Sequence, residues 1–313
     1  MIEILLLFII FLLSFDHEVA GYWIRSQVMS SFVPKRGTIQ MTGNQDYSIP
    51  DQPKRFAQAV AEKNERVLNI EKFYDPSFVK GKTVLVTGGN RGIGLAIATE
   101  LKTQGANVIV TTRSPANLPG IEVIDGIDVA ENESGEKLAV KLGKRKIDIL
   151  INNAGYFYGP VETIDTLNFE EEKKMIDICA IGPLRITSAL VKAHLLSEGS
   201  KVVIISSQGG SIAWRFTQNP TGYDYGHHMS KAAANMAGVL LAQELRGKGI
   251  SVRLLHPGFN KTDMTKKYEK IWEIEGAVDS SIGAKRVIHE IGLQSMENTG
   301  SFVNCEDGKA IPW

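Results

Sequence analysis

The stretch Thr83-Val84-Leu85-Val86-Thr87-Gly88-Gly89-Asn90-Arg91-Gly92-Ile93-Gly94, running straight into Leu95–Thr103, decides the fold. A short β-branched run, a glycine turn and a helical stretch stand in the order that a phosphate-binding strand–turn–helix unit needs. Glycine adopts backbone angles closed to other residues and lets the chain approach a pyrophosphate. The helix start adds free N–H groups and a partial positive charge. Gly88, Asn90, Arg91, Gly92, Ile93 and Gly94 are therefore read as the phosphate cradle. The spacing of Gly88, Gly92 and Gly94 departs from the common G-x-G-x-x-G fingerprint of dinucleotide folds.

Outward from this unit, β-rich runs alternate with helix-length segments. Strands are expected at Val84–Val86, Val108–Val110, Val123–Ile124, Ile147–Ile151, Val202–Ile205 and Val252–Leu255, with a last one at Phe302–Val303. Such alternation builds parallel crossovers and a sheet covered on both faces. The expected fold class is α/β: a Rossmann-type doubly wound parallel sheet, a single domain over residues 81–313, with an N-terminal extension.

Further motifs follow at family-like intervals. They are Asn152-Asn153-Ala154-Gly155, Ser206-Ser207-Gln208-Gly209-Gly210, and His256-Pro257-Gly258 with Thr262. With the glycine turn, which reads T-G-x-x-x-G-x-G, residues 82–313 resemble a short-chain dehydrogenase/reductase. The closing Asp307-Gly308-Lys309-Ala310-Ile311-Pro312-Trp313 is similar to the end of the C-factor-like classical subgroup. The resemblance implies a nicotinamide dinucleotide held also by Asn153, Ala154, Gly155, Lys231, Pro257, Gly258 and Thr262. Asp128 and Val129 would lie on its adenine side, although Asp128 would equally cap a helix beginning near Asn132.

Charge bears on which dinucleotide binds. The second strand ends Val110-Thr111-Thr112-Arg113-Ser114, without the carboxylate that a free ribose hydroxyl favours. Arg113, helped by Arg91, suits a ribose phosphate, so NADP is expected and NAD is less favoured.

The resemblance also implies an active site of Tyr-x-x-x-Lys, Ser and a helix-borne Asn. Ser207 and Lys231 stand in register, but His227 occupies the Tyr position and Cys179 the Asn position. His227 and Lys231 lie one helical turn apart, and imidazole titrates near neutrality, so His227 is the candidate acid/base. The nearby Lys231 cation depresses its pKa and disfavours the form that protonates a carbonyl. Tyr225 and Tyr223 are possible substitutes from a loop, and Cys179 is a candidate catalytic or packing residue. His194, His228, His256 and His289 lack ligand spacing, and no metal site is expected. The function expected is hydride transfer between NADP and a carbonyl or alcohol. The alternative is an NADP-binding regulatory or scaffold protein whose catalysis has lapsed.

Aromatic residues in Ser211–Gly222 (Trp214, Phe216, with Pro220) and Met264–Gly276 (Tyr268, Ile271, Trp272) suggest a pocket for an apolar small molecule. A homodimer or homotetramer is implied through helices over roughly Thr163–Leu195 and His227–Arg246. In the second, Ala232, Ala233, Ala234, Ala237 and Gly238 would admit a partner helix or the protein's own sheet.

Ahead of the domain, Ile4–Leu13 is unbroken apolar sequence, and residues 1–20 read as a targeting or anchor segment, despite Glu3 where a signal carries a cation. Membrane association in the endoplasmic reticulum or secretory pathway is expected, with a cytoplasmic chain as the alternative. Asn132 and Asn260 head glycosylation sequons. Residues 21–80 are expected to hold a linker, at 34–53, and an amphipathic helix over Arg55–Asn69 with Phe56, Val60, Val67 and Leu68 on its apolar face. Lys and Arg number 35 and Asp and Glu 35, which leaves no net field for nucleic acid. Two cysteines, Cys179 and Cys305, are too few for a disulfide framework.

Overall fold

In the computed structural model, which describes residues 46–313, each expected strand forms. They are β1 Thr83–Thr87, β2 Asn107–Thr111, β3 Glu122–Ile124, β4 Ile149–Asn152, β5 Lys201–Ile205 and β6 Ser251–His256. Two short strands, β7 Asn260–Lys261 and β8 Val278–Asp279, pair apart from the main sheet, and β9 Phe302–Asn304 closes it. The main sheet runs β3-β2-β1-β4-β5-β6-β9, parallel throughout.

Alternation along β1 explains why the sheet is buried on both sides. Leu85 joins one core with Ile109, Leu150, Ile186 and Leu241. Val84 and Val86 join the opposite core with Val110, Ile151, Ile97 and Val287. One face is covered by α4 (Ser134–Leu142), α6 (Gly182–Lys192) and α8 (Tyr225–Arg246), with α5 (Phe169–Ile176) packed on α8. The other face is covered by α3 (Gly92–Thr103) and α9 (Ser280–Gly292). Strand order reverses between β1 and β4, so a crevice opens at the carboxyl ends of these strands.

The helices differ from expectation where tertiary contacts intervene. The expected helix over Arg55–Asn69 is two: α1 Gln52–Ala61 and α2 Glu65–Leu68. Lys63 turns left-handed between them, at φ 52°, and Asn64 caps the second. The inward face of α1 carries Gln52, Arg55 and Ala59, whereas Val60 and Leu68 are exposed. The expected apolar face is thus displaced by a polar anchor: Arg55 reaches the buried Glu306.

The part of the expected linker within the described residues is also tied down. Ser48 N donates to Ala310 O at 2.9 Å, and Ser48 Oγ to Asp307 Oδ2 at 2.6 Å. Residues 1–45, with the apolar segment, lie outside the described residues. Among the described residues no helix is long and apolar enough to cross a membrane.

Candidate active site

Thr87 ends β1 and organises the cradle. Its Oγ1 accepts from both Asn153 N and Ala154 N at 3.0 Å. The Asn153 amide then donates to Thr87 O and Gly88 O, each at 3.0 Å. The glycines here answer to space. A Cβ on Gly88, which has φ +62°, would sit 2.9 Å from Ala154 Cα, and one on Gly94 would strike the Asn153 amide and come within 2.7 Å of Gly88 O. Thr87 was missing from the expected site because a strand threonine looks like ordinary β propensity.

Across the turn, Thr262 approaches Gly92, and a pocket of about 390 Å³ opens between them, lined also by Leu95, Lys261 and Ser280. Arg113, which follows β2, is exposed, with Nη1 3.8 Å from Asp128 Oδ2. Asp128 Oδ1 accepts from Ala130 N at 3.0 Å, and α4 begins only at Ser134, so Asp128 caps no helix. Val129 is buried against Gly182. Gly258 is left-handed, at φ +81°, and a Cβ there would meet Glu306.

The catalytic candidates converge from two elements. Ser207 follows β5 and caps a 3-10 turn, Gln208–Gly210, its Oγ accepting from Gly209 N at 3.0 Å. His227 and Lys231 project from the first turns of α8, and Lys231 Nζ donates to Ile205 O at 3.1 Å. A Cβ on Gly209 would lie 3.0 Å from His227 Nε2 and 3.2 Å from Ser207 Oγ, so the hydroxyl and the imidazole face each other across a residue without a side chain.

His227 Nδ1 is buried without a partner, and the Phe157 ring lies edge-on, with centroids 4.7 Å apart. Burial, then the Lys231 cation, then His228, Arg215 and Lys267 hold the imidazole well below its usual pKa. It is neutral at physiological pH. Tyr225 begins α8 and Tyr223 precedes it in a left-handed conformation; no hydrogen bond joins either to Ser207 or Lys231 among the described residues.

Cys179 lies in a π turn, Asp177–Ile181, between α5 and α6. Its buried Sγ accepts from Tyr156 N and donates to Tyr156 O, both at 3.5 Å. It therefore braces the strand-end segment that follows Asn153. A second support missed in sequence is Glu162, whose Oε2 accepts from Gly226 N at 3.0 Å where α8 starts. A carboxylate there opposes the helix dipole. Among the described residues no group of three or more His, Cys, Asp or Glu converges as a metal site.

The expected pocket aromatics divide. Trp214, on α7 (Ile212–Gln218), is buried with Leu254, Phe302 and Ile311, so it belongs to the core and not to the pocket. Phe216 is exposed, while Tyr268 bridges to Asp224, its hydroxyl donating to Oδ2 at 3.4 Å.

Residues 82–271, which contain the cradle, Ser207, His227 and Lys231, match the family described as short chain dehydrogenase. The chain belongs to that family. This short-chain dehydrogenase/reductase is 34% identical over 236 residues to 1-hydroxy-2-glutathionyl-2-methyl-3-butene dehydrogenase of Rhodococcus sp. (strain AD45), covering 74% of the chain and 99% of the relative. It is 35% identical to C-signal of Myxococcus xanthus over 53% of the chain and 93% of that protein. Its fold matches the NADPH-bound carbonyl reductase from chicken fatty liver with a TM-score of 0.63 and 25% identity, over 75% of this chain and all of the other. It is accordingly an NAD(P)-dependent oxidoreductase, and the close contacts at Gly88 and Gly94 leave no space for a side chain in its glycine turn. Gly94→Ala is expected to weaken cofactor binding by about tenfold, since overpacking a tight contact costs about 1–3 kcal/mol. NADPH fluorescence titration measures this, and an unchanged affinity would show that the Asn153 contact yields freely.

Proposed function

We propose that this chain is an NADP-dependent oxidoreductase that moves a hydride between the nicotinamide and a carbonyl or alcohol of a small molecule. One observation carries the reading: Ser207 Oγ and His227 Nε2 face one another over Gly209, with Lys231 one turn along the same helix. Arg113 and Arg91, with no carboxylate at the end of β2, support the 2′-phosphate form of the cofactor.

The bound dinucleotide supplies the hydride acceptor or donor. Ser207 orients the substrate oxygen by hydrogen bonding, and Lys231 holds the ribose. His227 Nε2 accepts the alcohol proton during oxidation and returns it during reduction. Its depressed pKa makes the two directions unequal: the neutral base is present across the neutral range, but the imidazolium that reduction needs is scarce. Carbonyl reduction is therefore expected to keep rising as pH falls from 7 through 5, with no plateau near 6.5, in pH profiles of kcat. A profile flat over that range would remove His227 as the acid.

The alternative, a cofactor-binding regulatory or scaffold protein, is favoured by the same depressed pKa and by the Phe157 edge against His227. NADPH titration beside turnover on a carbonyl panel separates the two: tight binding without oxidation at any pH supports the alternative.

Two properties belong to the same proposal. Exposed Met229, Met236 and Leu240 along α8 support a homodimer or homotetramer, whereas Gly238 packs too closely on Leu254 to serve a partner helix. A monomer in light scattering at micromolar concentration would count against assembly. Residues 1–20 attach the chain to a secretory-pathway membrane with the domain facing the cytosol. Asn260 supports that side, because its buried amide donates to Pro257 O and Gly258 O and is closed to glycosylation. Fractionation of the full chain beside a form lacking residues 1–20 tests attachment, and identical soluble behaviour would refute it.

A further inference from the structure

The walls around His227 carry positive charge that no carboxylate pairs. On one side, beyond the Gln208–Gly210 turn, Arg215 of α7 lies half-buried. Its Nε donates to Ser211 O at 3.1 Å, and its Nη2 donates to Gln208 O at 3.0 Å and to Gln218 Oε1. Nη1 has no acceptor among the described residues, and it is not sealed in. Burial alone lowers the Arg215 pKa, to about 10, with no acid near enough to oppose it. Burying a guanidinium without a counter-ion is unfavourable unless something else repays the lost hydration. Main-chain carbonyls satisfy one edge of Arg215 and leave the other free.

A second cation, Lys267 of the 3-10 segment Asp263–Ile271, sits with Nζ 3.7 Å over the Phe157 ring centroid. The Phe157 ring thus contacts both this ammonium and the His227 imidazole. Lys267 also donates to Gly159 O at 3.1 Å, and it makes no ion pair among the described residues. Asp224 and Glu162 are the acids that act on it. Asp224 already accepts from the Tyr268 hydroxyl, and Glu162 is turned to the start of α8.

We propose that the substrate of this oxidoreductase carries an anionic group, a carboxylate or a phosphate, which Nη1 of Arg215 receives while Lys267 adds its charge from the Phe157 wall. The inference rests on the proposed hydride chemistry and names its substrate class. In the proposed reading the dinucleotide's phosphates go to the glycine turn and Arg113, which leaves these two cations for the substrate. The expected apolar body of the substrate remains compatible, with Phe157 as its wall and the charge at one end.

A matched pair tests the assignment: 4-phenyl-2-oxobutanoate and its primary amide, reduced by the full chain with NADPH. The carboxylate is expected to exceed the amide by about tenfold or more in kcat/KM, chiefly through KM, as a hydrogen bond to a charged group allows. Arg215→Met and Lys267→Met each reduce that ratio, and the double variant brings it close to one. Lys266→Met, on the same segment, leaves the ratio as it was. Equal use of acid and amide by the wild type, or a preference that survives in the double variant, overturns the proposal. Calorimetric titration of the NADPH-loaded chain with 4-phenylbutanoate, 4-phenylbutylphosphonate and 4-phenylbutanamide reads the same site without turnover. Arg215-dependent binding of either anion over the amide upholds it even in a chain that transfers no hydride, the tighter anion distinguishing carboxylate from phosphate chemistry. Absence of any such preference overturns it while leaving the hydride chemistry to its own test.

Discussion

Glu306→Ala is expected to lower folding stability by about 3–5 kcal/mol, because it strands buried cations that the carboxylate now satisfies. Glu306 is 3% exposed. Its Oε2 accepts from Arg55 Nε at 3.1 Å and Nη2 at 2.9 Å, and its Oε1 accepts from Phe259 N at 3.1 Å. Arg286 Nη1 lies 4.0 Å from Oε1. One side chain therefore joins α1, α9 and the loop after β6. Through Arg55, whose Nη2 also donates to Gln208 Oε1 at 3.1 Å, it reaches the residue next to Ser207. Urea unfolding monitored by circular dichroism measures the loss, and a change below about 1 kcal/mol would show that water replaces the carboxylate freely. Glu306→Gln keeps an acceptor for Phe259 and is expected to cost less.

The same residue sets an acid limit. Burial raises the Glu306 pKa, but Arg55 first, then Arg286 and His256, bring it down to about 2 from an ordinary 4.5. A depressed carboxylate contributes stability that is complete above the unfolded value and lost as pH falls from 4.5 toward 2. His256 adds a loss that begins sooner. Burial lowers its pKa to about 3, so below pH 6.5 the unfolded chain takes up a proton that the folded chain refuses. Stability is thus expected to decline from pH 6.5 downward and to steepen below 4.5. His256→Phe should flatten the upper part of that curve.

His227→Ala is expected to reduce kcat by about 10²–10⁴-fold, the usual contribution of a positioned acid/base, with NADPH affinity little changed. The imidazole reaches toward Ser207 over Gly209 and bonds to no cofactor-cradle residue, so its removal should spare binding. Stopped-flow hydride transfer and NADPH titration separate the two effects. Retained turnover in the alanine variant would exclude His227 from the chemistry. If His227 and Cys179 hold the Tyr and Asn positions, as proposed, His227→Tyr with Cys179→Asn is expected to raise reduction above wild type at pH 7, because a phenol beside Lys231 remains a usable donor where a neutral imidazole is a poor one. Cys179 now holds Tyr156 only through two long sulfur contacts, and an amide in its place offers stronger partners for the same N–H and C=O.

Much of the cofactor side was legible in the chain because it depends on local geometry. The order of β1, glycine turn and α3, and the register of Lys231 behind His227, rest on spacing that a helix or strand translates directly into position. Residues that work through distant partners were not legible. Arg55 read only as the start of an amphipathic helix, yet it is buried against a carboxylate 251 positions away. Trp214 read as a pocket wall and is core, because β6 and β9 present Leu254 and Phe302 to it. Thr87, Glu162 and Arg215 carry no motif, and each becomes a support or a free charge only when another element is packed beside it.

The chain by itself determined a doubly wound sheet and a glycine turn at the carboxyl end of β1, and its family resemblance set the expectation that His227 and Cys179 stand at the Tyr and Asn positions. Periodicity, glycine spacing and residue identity are properties of neighbours in sequence. Tertiary structure alone decided that Ser207 and His227 meet over Gly209, that His227 is held neutral, and that Arg55 and Glu306 brace the site from outside the matched region. Burial and charge proximity set these, and both arise from elements far apart in the chain that meet only when the two faces of the sheet are covered.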